Sequence, residues 1–436
     1  MSPIQVSIKD YKAIKSAEID LNGITVISGI NGSGKSSISK LLYYALKYAN
    51  NYEIIVEKLL EQDLRPIDRL IHNTIMTFRR NEPQIWEIRE YYNLANDSTD
   101  NLIKKSAYTT ALQQIKELFQ KFETEKNKKD IISISRIQNI IENSILDKKR
   151  EKGIKSVDLI DAVIRKTNGL FEKADNYNTT RSYSLYKESI NEAAEDDLKN
   201  IRITEYGVPF VGKDVSNVPI LSYIQQVAYI DTPMIIGMNL YDRYHTIEYW
   251  KDLNDLLKIP ASKSYSHTIN KYIKSVIHGG TFLDDSISFN SMLKYKREDG
   301  LVIDLLDSAT GIKSFSLLQT LLRNGILSEN TMLIIDEPEA HLHPQWIVEY
   351  ARIVIMLYKK LGTKFLIASH STDFISAIKY ISEKQKVNKS LSFYLAEEDS
   401  NKHFSYNYKS IGTDIEPIFA SFNKSLDKIG EYGGWQ

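Results

Sequence analysis

The sequence predicts an α/β fold: a mostly parallel β-sheet, an antiparallel β element at the N-terminus, and a helical lobe inserted between the two ends of the sheet domain. Three observations predict it. First, Gly29-Ile30-Asn31-Gly32-Ser33-Gly34-Lys35-Ser36 fits the phosphate-loop pattern G-x-x-x-x-G-K-[ST], between a short apolar run (Ile24 to Ser28) and a helical repeat of Ile38, Leu41, Leu42 and Ala45. Second, Thr331 to Ile335 and Phe365 to Ala368 have the continuous hydrophobicity of central parallel strands covered on both faces. Third, the chain between these ends carries apolar residues at helical spacing: Leu112, Ile115, Leu118, Phe119 and Phe122, then Ile137, Ile140, Ile141 and Ile145, then Leu159, Ile160, Val163 and Ile164.

From the start of the chain, Ile4, Val6 and Ile8 alternate as a half-buried strand, and Met1 to Asp10 lacks the charged-then-apolar layout of a secretory signal. In the loop that follows, glycines let the backbone bend around phosphates, and the free N–H groups of the next helix point at their oxygens. Lys35 is then expected to reach the β- and γ-phosphates and the Ser36 hydroxyl to ligate Mg²⁺. Asn31, Gly32, Ser33, Gly34, Lys35, Ser36 and Ser37 are the expected nucleotide contacts.

The middle of the chain reads as a helical lobe over 100–200, flanked by 1–99 and 201–436 as the two parts of the sheet domain. Its repeats are too short for a sustained heptad, which argues against a long coiled coil. Lys148, Lys149, Arg150 and Lys152 are its densest basic cluster, read as solvated surface with DNA contact as the alternative. Extended structure returns with Val227 to Ile230, where Gln225 or Gln226 is a candidate to couple the strand to Mg²⁺.

Asp307 to Ser314, with Gly311 opening an amphipathic stretch from Phe315 to Leu322, reads as a second phosphate-facing helix start. Reaching a nucleotide already wrapped by the first loop requires that this helix come from a second subunit. The strand Thr331 to Ile335 ends in Asp336 and Glu337, a Walker B pattern in which Asp336 holds Mg²⁺, directly or through water, and Glu337 acts as general base on an attacking water. Ile347, Ala351, Val354 and Tyr358 then mark a crossover helix, and the strand Lys364 to Ser369 delivers His370 to the same end of the sheet. There His370 is expected to hydrogen-bond the γ-phosphate and sense its loss. Thus Glu337, His370 and Lys35 are the candidate catalytic residues, and Ser36 and Asp336 the candidate metal ligands.

Lys+Arg and Asp+Glu both number 56, so no global positive field advertises nucleic acid and any DNA contact must be local. Cysteine is absent, which removes disulfides, thiolate metal sites and cysteine nucleophiles and suits a reducing, cytoplasmic interior. No run approaches the ~18 apolar residues of a membrane span. His341 and His343 read as turn residues rather than a metal pair, and Glu397-Glu398-Asp399 as a solvated turn. Asn423-Lys424-Ser425-Leu426-Asp427 has one residue too many for a guanine-reading N-K-x-D.

Taken together, Gly29 to Ser36, Ser308 to Lys313, the Asp336-Glu337 strand, the run from Asp336 to Pro344, His370 and the strand-turn-strand opening over Ile4 to Ile27 resemble the ATP-binding-cassette heads of the RecF, SMC and overcoming-lysogenisation-defect group. Within it the chain is most similar to ATPase subunits of bacterial antiphage systems such as Septu, PARIS and retron-linked ATPases. The resemblance covers about half the chain, its two ends. It implies an ABC-type P-loop ATPase head that uses ATP and Mg²⁺ and dimerises head to head, with Ser308, Thr310 and Gly311 of one subunit facing the nucleotide of the other. Such heads place a serine two residues before the signature glycine; Ala309 stands there, leaving Ser308 or Thr310 to offer a hydroxyl. A TOPRIM nuclease, fused after the head in several relatives, is missing. The expected role is therefore a nucleotide-dependent switch acting on a separate effector, a nuclease or toxin, with no membrane partner. The alternative is a RecF-like clamp on DNA in repair. A transporter's energising subunit is disfavoured, because about 190 residues separate the phosphate loop from the strand at Val227 and no LSGGQ run exists.

Overall fold

The computed structural model describes residues 2–78, 83–125, 128–146, 155–236, 247–284, 292–340 and 342–420. The chain divides into two compact units, one formed by 1–50 with 183–436 and the other by 51–182. The inserted unit thus begins at Asn51, well before the expected position 100, and closes at Ser182 rather than near 200. Sequence could not place these edges, because helices of both units carry the same amphipathic period and only Asn51 separates the first helix, α1 (Lys35–Asn50), from α2 (Tyr52–Thr77).

The larger unit is organised by a ten-stranded sheet of β1 (Ile4–Tyr11), β2 (Ile14–Leu21), β3 (Ile24–Ser28), β4 (Ile201–Glu205), β5 (Val208–Val211), β6 (Gln226–Ile230), β10 (Thr331–Asp336), β11 (Lys364–Ser369), β12 (Leu391–Asp399) and β13 (Lys402–Gly412). Their spatial order is β5-β4-β1-β2-β13-β12-β3-β11-β10-β6. Strands β12, β3, β11, β10 and β6 run parallel, as the apolar runs of β10 and β11 predict, while β1, β2, β4 and β5 form the antiparallel part. A separate three-stranded antiparallel sheet contains β7 (Gly279–Asp284), β8 (Met292–Arg297) and β9 (Val302–Asp304).

Side-chain parity explains how the central strands are covered. Ile24 and Val26, Leu333 and Ile335, Phe365 and Ile367, and Ala228 and Ile230 all enter one buried cluster with residues of the helices on that face. Their alternate neighbours, including Ile27, Tyr229, Ile334 and Leu366, are equally buried and lie on the opposite face, where α1 packs against β6, β10 and β11. Asp336 shares the parity of Ile334 and so belongs to the α1 face.

In the inserted unit, α2 is followed by α3 (Pro83–Asp97), α4 (Asn101–Glu125), α5 (Lys128–Ile140) and α6 (Ser156–Thr180), with α4 packed against α3 and α6. Leu112, Ile115, Leu118, Phe119 and Phe122 are all buried along α4, as their spacing predicts. The basic cluster Lys148, Lys149, Arg150 and Lys152 lies outside the described residues, as do His341 and Asn423 to Asp427. Back in the larger unit, further helices are α7 (Tyr183–Ala194), α8 (Glu248–Lys258), α9 (His267–Ile277), α10 (Thr310–Arg323), α11 (Pro344–Leu361) and α12 (Thr372–Lys384). Helix α11 makes the β10-to-β11 crossover, with Ile347, Ala351 and Val354 buried.

Candidate functional site

The register of the central strands brings the candidate residues to one edge. Ser28 at the end of β3 is level with Ser369 of β11, and Ala368 beside it is level with Asp336 at the end of β10. Only β11 separates β3 from β10, so the glycine loop and the acidic strand end leave the sheet two strand spacings apart, about 10 Å.

The loop's glycines have separate reasons. Gly32 and Gly34 sit at φ +81° and +96°, which side-chain-bearing residues rarely adopt. At Gly29 a Cβ would lie 2.7 Å from Ala396 Cβ and 2.8 Å from Ser33 Oγ, so the loop closes on itself only without a side chain there. Within it, Ser33 Oγ is buried with no hydrogen-bond partner among the described residues, and Asn31, Gly32 and Ser36 are exposed. Lys35 Nζ donates to the carbonyls of Gly29 at 2.8 Å and Ile30 at 3.1 Å. Burial pulls the Lys35 ammonium below its ordinary pKa, while Glu337, Asp336 and Glu339 pull it back up.

Asp336 is held from both sides. Ser39, one turn into α1, donates its hydroxyl to Oδ1 at 2.6 Å, and Tyr229 of β6 donates to Oδ2 at 2.8 Å. The Ser36 hydroxyl lies close enough to this carboxylate to favour its charged form. Tyr229 reaches it as a diagonal cross-strand neighbour, since its register partner Ile334 lies two residues before Asp336. Burial pushes the Asp336 carboxyl above its usual range, opposed by these three hydroxyls.

Glu337 leaves the strand in a left-handed conformation, φ +48°, with its N–H bonded to Ala368 O at 2.8 Å. A non-glycine residue held there stores strain of about 1–3 kcal/mol, a cost that tends to persist at functional positions. Its half-exposed carboxylate lies 3.4 Å from His370 Nδ1, which is also 3.5 Å from Glu339 Oε1. Glu339, which sequence reasoning did not single out, anchors the segment carrying the histidine. Its Oε1 accepts from Ser369 Oγ (2.9 Å), the His370 N–H (2.9 Å) and the Ser371 N–H (3.1 Å).

Lys35, Ser36, Asp336, Glu337 and His370 therefore converge, through Ser39, Tyr229 and Glu339, none of which the motifs mark. The one available signal was Ser39, a polar residue on the buried face of α1, three positions after Ser36. Ser37 is half-buried beside them. Gln225 and Gln226 do not join: Gln226 pairs with Thr331, at the opposite end of β10 from Asp336, and Gln225 bonds Asn330. The apolar run fixed that strand's place but not which of its ends faces the loop.

The signature segment is tied to other partners. Ser308 Oγ donates to Leu305 O at 2.7 Å and is buried, whereas Thr310, the first residue of α10, is half-exposed. A Cβ on Gly311 would strike the Trp346 ring at 2.6 Å, so this glycine is required by packing. No hydrogen bond joins Ser308, Thr310 or Gly311 to the glycine loop among the described residues, although Ser314, one turn on, lines the same small hollow as Asp336 and Glu337. His343 caps α11, its Nδ1 accepting from the Gln345 N–H at 3.4 Å, and Asp399 pairs with Lys15 at 2.8 Å.

These groups suit a nucleotide triphosphate with a hard cation. The glycine cradle would be filled by any Cβ at position 29, an orphaned buried hydroxyl lies inside it, and an exposed hydroxyl (Ser36) neighbours a carboxylate, the oxygen donors that magnesium prefers.

The profile of the AAA ATPase domain family matches residues 1–375. Among solved structures, the chain is similar to an Smc head domain with an extended coiled coil, bound to the C-terminal domain of ScpA, from Pyrococcus furiosus (10% identity, 98% of both chains covered, TM-score 0.35). It is also similar to an SmcHead bound to the C-winged helix domain of ScpA (11% identity, 95% of this chain and 98% of that one, TM-score 0.38) and to an SMC head domain from Thermotoga maritima (12% identity, 37% and 51%, TM-score 0.26). No curated protein matches. No helix among the described residues is long and apolar enough to cross a membrane.

Proposed function

We propose that this chain, which belongs to the AAA ATPase domain family, hydrolyses ATP at the junction of the Gly29–Ser36 loop and the Asp336 strand end, and uses that cycle as a switch. The observation that carries the reading is the 2.6 Å hydrogen bond from Ser39 Oγ to Asp336 Oδ1, which ties the helix behind the glycine loop to the acidic strand end.

In this reading the loop N–H groups and Lys35 Nζ bind the phosphates, with Lys35 exchanging its bonds to the Gly29 and Ile30 carbonyls for phosphate oxygens. Ser36 and Asp336 would hold Mg²⁺, which when bound neutralises charge on the phosphates. Ser39 and Tyr229 orient the Asp336 carboxylate. A Glu337 carboxylate oxygen takes the proton of the attacking water. His370 donates to the terminal phosphate and, on its loss, returns to Glu337 and Glu339.

Two chains are proposed to close head to head, each offering Thr310 and the backbone near Gly311 to the other's nucleotide. The half-exposed position of Thr310 at the start of α10 supports this, and it favours Thr310 over Ser308 as the hydroxyl donor. Opening and closing would control a separate effector, a nuclease or toxin, in bacterial antiphage defence. That last step rests on the resemblance of the chain's two ends to antiphage ATPase subunits.

The Glu337→Gln variant tests the reading. It keeps ATP binding, loses about 10²–10⁴-fold in turnover, and accumulates as an ATP-dependent dimer in size-exclusion chromatography with light scattering. Normal turnover would remove Glu337 from the base role, and a monomer at saturating ATP would remove the head-to-head closure.

A further inference from the structure

The larger unit holds a cavity that the ATPase reading does not use. A cavity of about 620 Å³ opens between the C-terminal ends of α9 and α10 and the strands β7 and β8. Among the described residues, four cations line it, Lys274, Lys296, Arg297 and Arg323, against one acid, Glu298. Arg297 is paired with Asp299 and Arg323 donates to Thr281 O, but Lys274 and Lys296 form no ion pair among the described residues. In a chain with no net charge, this is a local concentration of positive charge.

Two of the cations, Lys274 and Arg323, also sit in the last turns of α9 and α10, where helix carbonyls favour positive charge. That accounts for those two, but not for Lys296 and Arg297, which come from a strand. The floor is built rather than incidental. A Cβ on Gly279 would lie 2.5 Å from Lys296 O, so only glycine lets the two strands come this close there. Beneath them a buried polar network is fixed: Gln319 accepts from Thr281 N (2.8 Å) and Thr281 Oγ1 (2.9 Å) and donates to Asn270 Oδ1 (2.9 Å). Asn270 reaches the cavity lining, and Tyr265 and Phe282 add half-buried aromatic rings to it.

Unpaired ammonium groups, a fixed amide and two aromatic rings in one hollow match a phosphate joined to a flat ring. We propose that this cavity binds a nucleoside phosphate group, either a free nucleotide or the phosphorylated end of a nucleic-acid strand, at a site separate from the Gly29 loop.

The test uses the full chain carrying Lys35→Ala, with and without Lys274→Glu plus Lys296→Glu, so that residual binding at the loop is common to both proteins. Both lysines are exposed, so reversing them leaves the core intact. Fluorescence anisotropy is read with a labelled nucleoside monophosphate and with a 5′-phosphorylated single-stranded oligonucleotide, at about 50 mM salt. The expected result is at least a roughly tenfold weakening for one probe on charge reversal, with a shallower salt dependence, and retention of binding in the Lys→Arg pair. Weakening for the mononucleotide identifies a free nucleotide as the ligand, and weakening for the oligonucleotide alone identifies a strand end. Equal affinity of parent and reversed proteins for both probes, or no binding by the parent, overturns the proposal.

Discussion

Replacing Tyr229 by Phe removes one hydroxyl and almost no volume from the wall around Asp336, which makes it a sharp probe of how that carboxylate is held. Tyr229 donates to Oδ2 at 2.8 Å and Ser39 to Oδ1 at 2.6 Å, and the Asp336 side chain is almost wholly buried. A hydrogen bond to a charged group contributes about 1.5–3 kcal/mol. Loss of one partner that orients a metal ligand weakens metal binding about 10–100-fold, equivalent to roughly 1.4–2.7 kcal/mol. The two routes agree. Tyr229→Phe and Ser39→Ala are each expected to raise the Mg²⁺ concentration for half-maximal ATP turnover by about tenfold or more. Because both hydroxyls act on one carboxylate, the double variant should depart from additivity by about 0.5–3 kcal/mol. The assay is steady-state phosphate release at fixed nucleotide across a Mg²⁺ titration, with melting temperature measured beside it. An unchanged Mg²⁺ dependence in both single variants would rule out this role for the two hydroxyls, even if the melting temperature fell.

Gly311→Ala places a methyl 2.6 Å from the Trp346 ring and is expected to cost about 1–3 kcal/mol in stability, read from denaturant midpoints; an unchanged midpoint would return this glycine to a phosphate-binding role alone. Glu339→Ala leaves Ser369 Oγ and the N–H groups of His370 and Ser371 without their acceptor and should lower stability by about 2 kcal/mol and turnover with it. Glu339→Gln keeps one oxygen and should restore most of both, and equal losses in the two variants would contradict the anchoring role.

Much of this architecture was legible because it is written in local pattern. The loop Gly29 to Ser36 needs its glycines for backbone reasons, and Met332 to Ile335 of β10 and Phe365 to Ala368 of β11 are apolar because both faces of those strands are covered. What stayed hidden depends on pairing between distant segments. Strands β4 and β5 precede Val227 and complete the antiparallel part of the sheet, β4 pairing with β1 across nearly two hundred residues and β5 pairing with β4. Strand β8, rich in lysine and arginine, carries little apolar alternation and belongs to a small sheet that no local signal announces. Ser39, Tyr229 and Glu339 are ordinary residues by type and gain their meaning only from register and parity. The same cause misplaced Gln225 and Gln226, because composition says a strand is there but not which end faces the site.

In the proposed cycle the glycine turn and the acidic strand end act on one triphosphate. Diffraction from crystals grown with a non-hydrolysable ATP analogue and Mn²⁺ tests it most directly, with anomalous scattering locating the metal. The expected result is a manganese peak between Ser36 Oγ and the Asp336 carboxylate, with the terminal phosphate beside Lys35 Nζ. A nucleotide bound with its phosphates away from the loop, or a metal peak with Asp336 still engaged only by Ser39 and Tyr229, would contradict it.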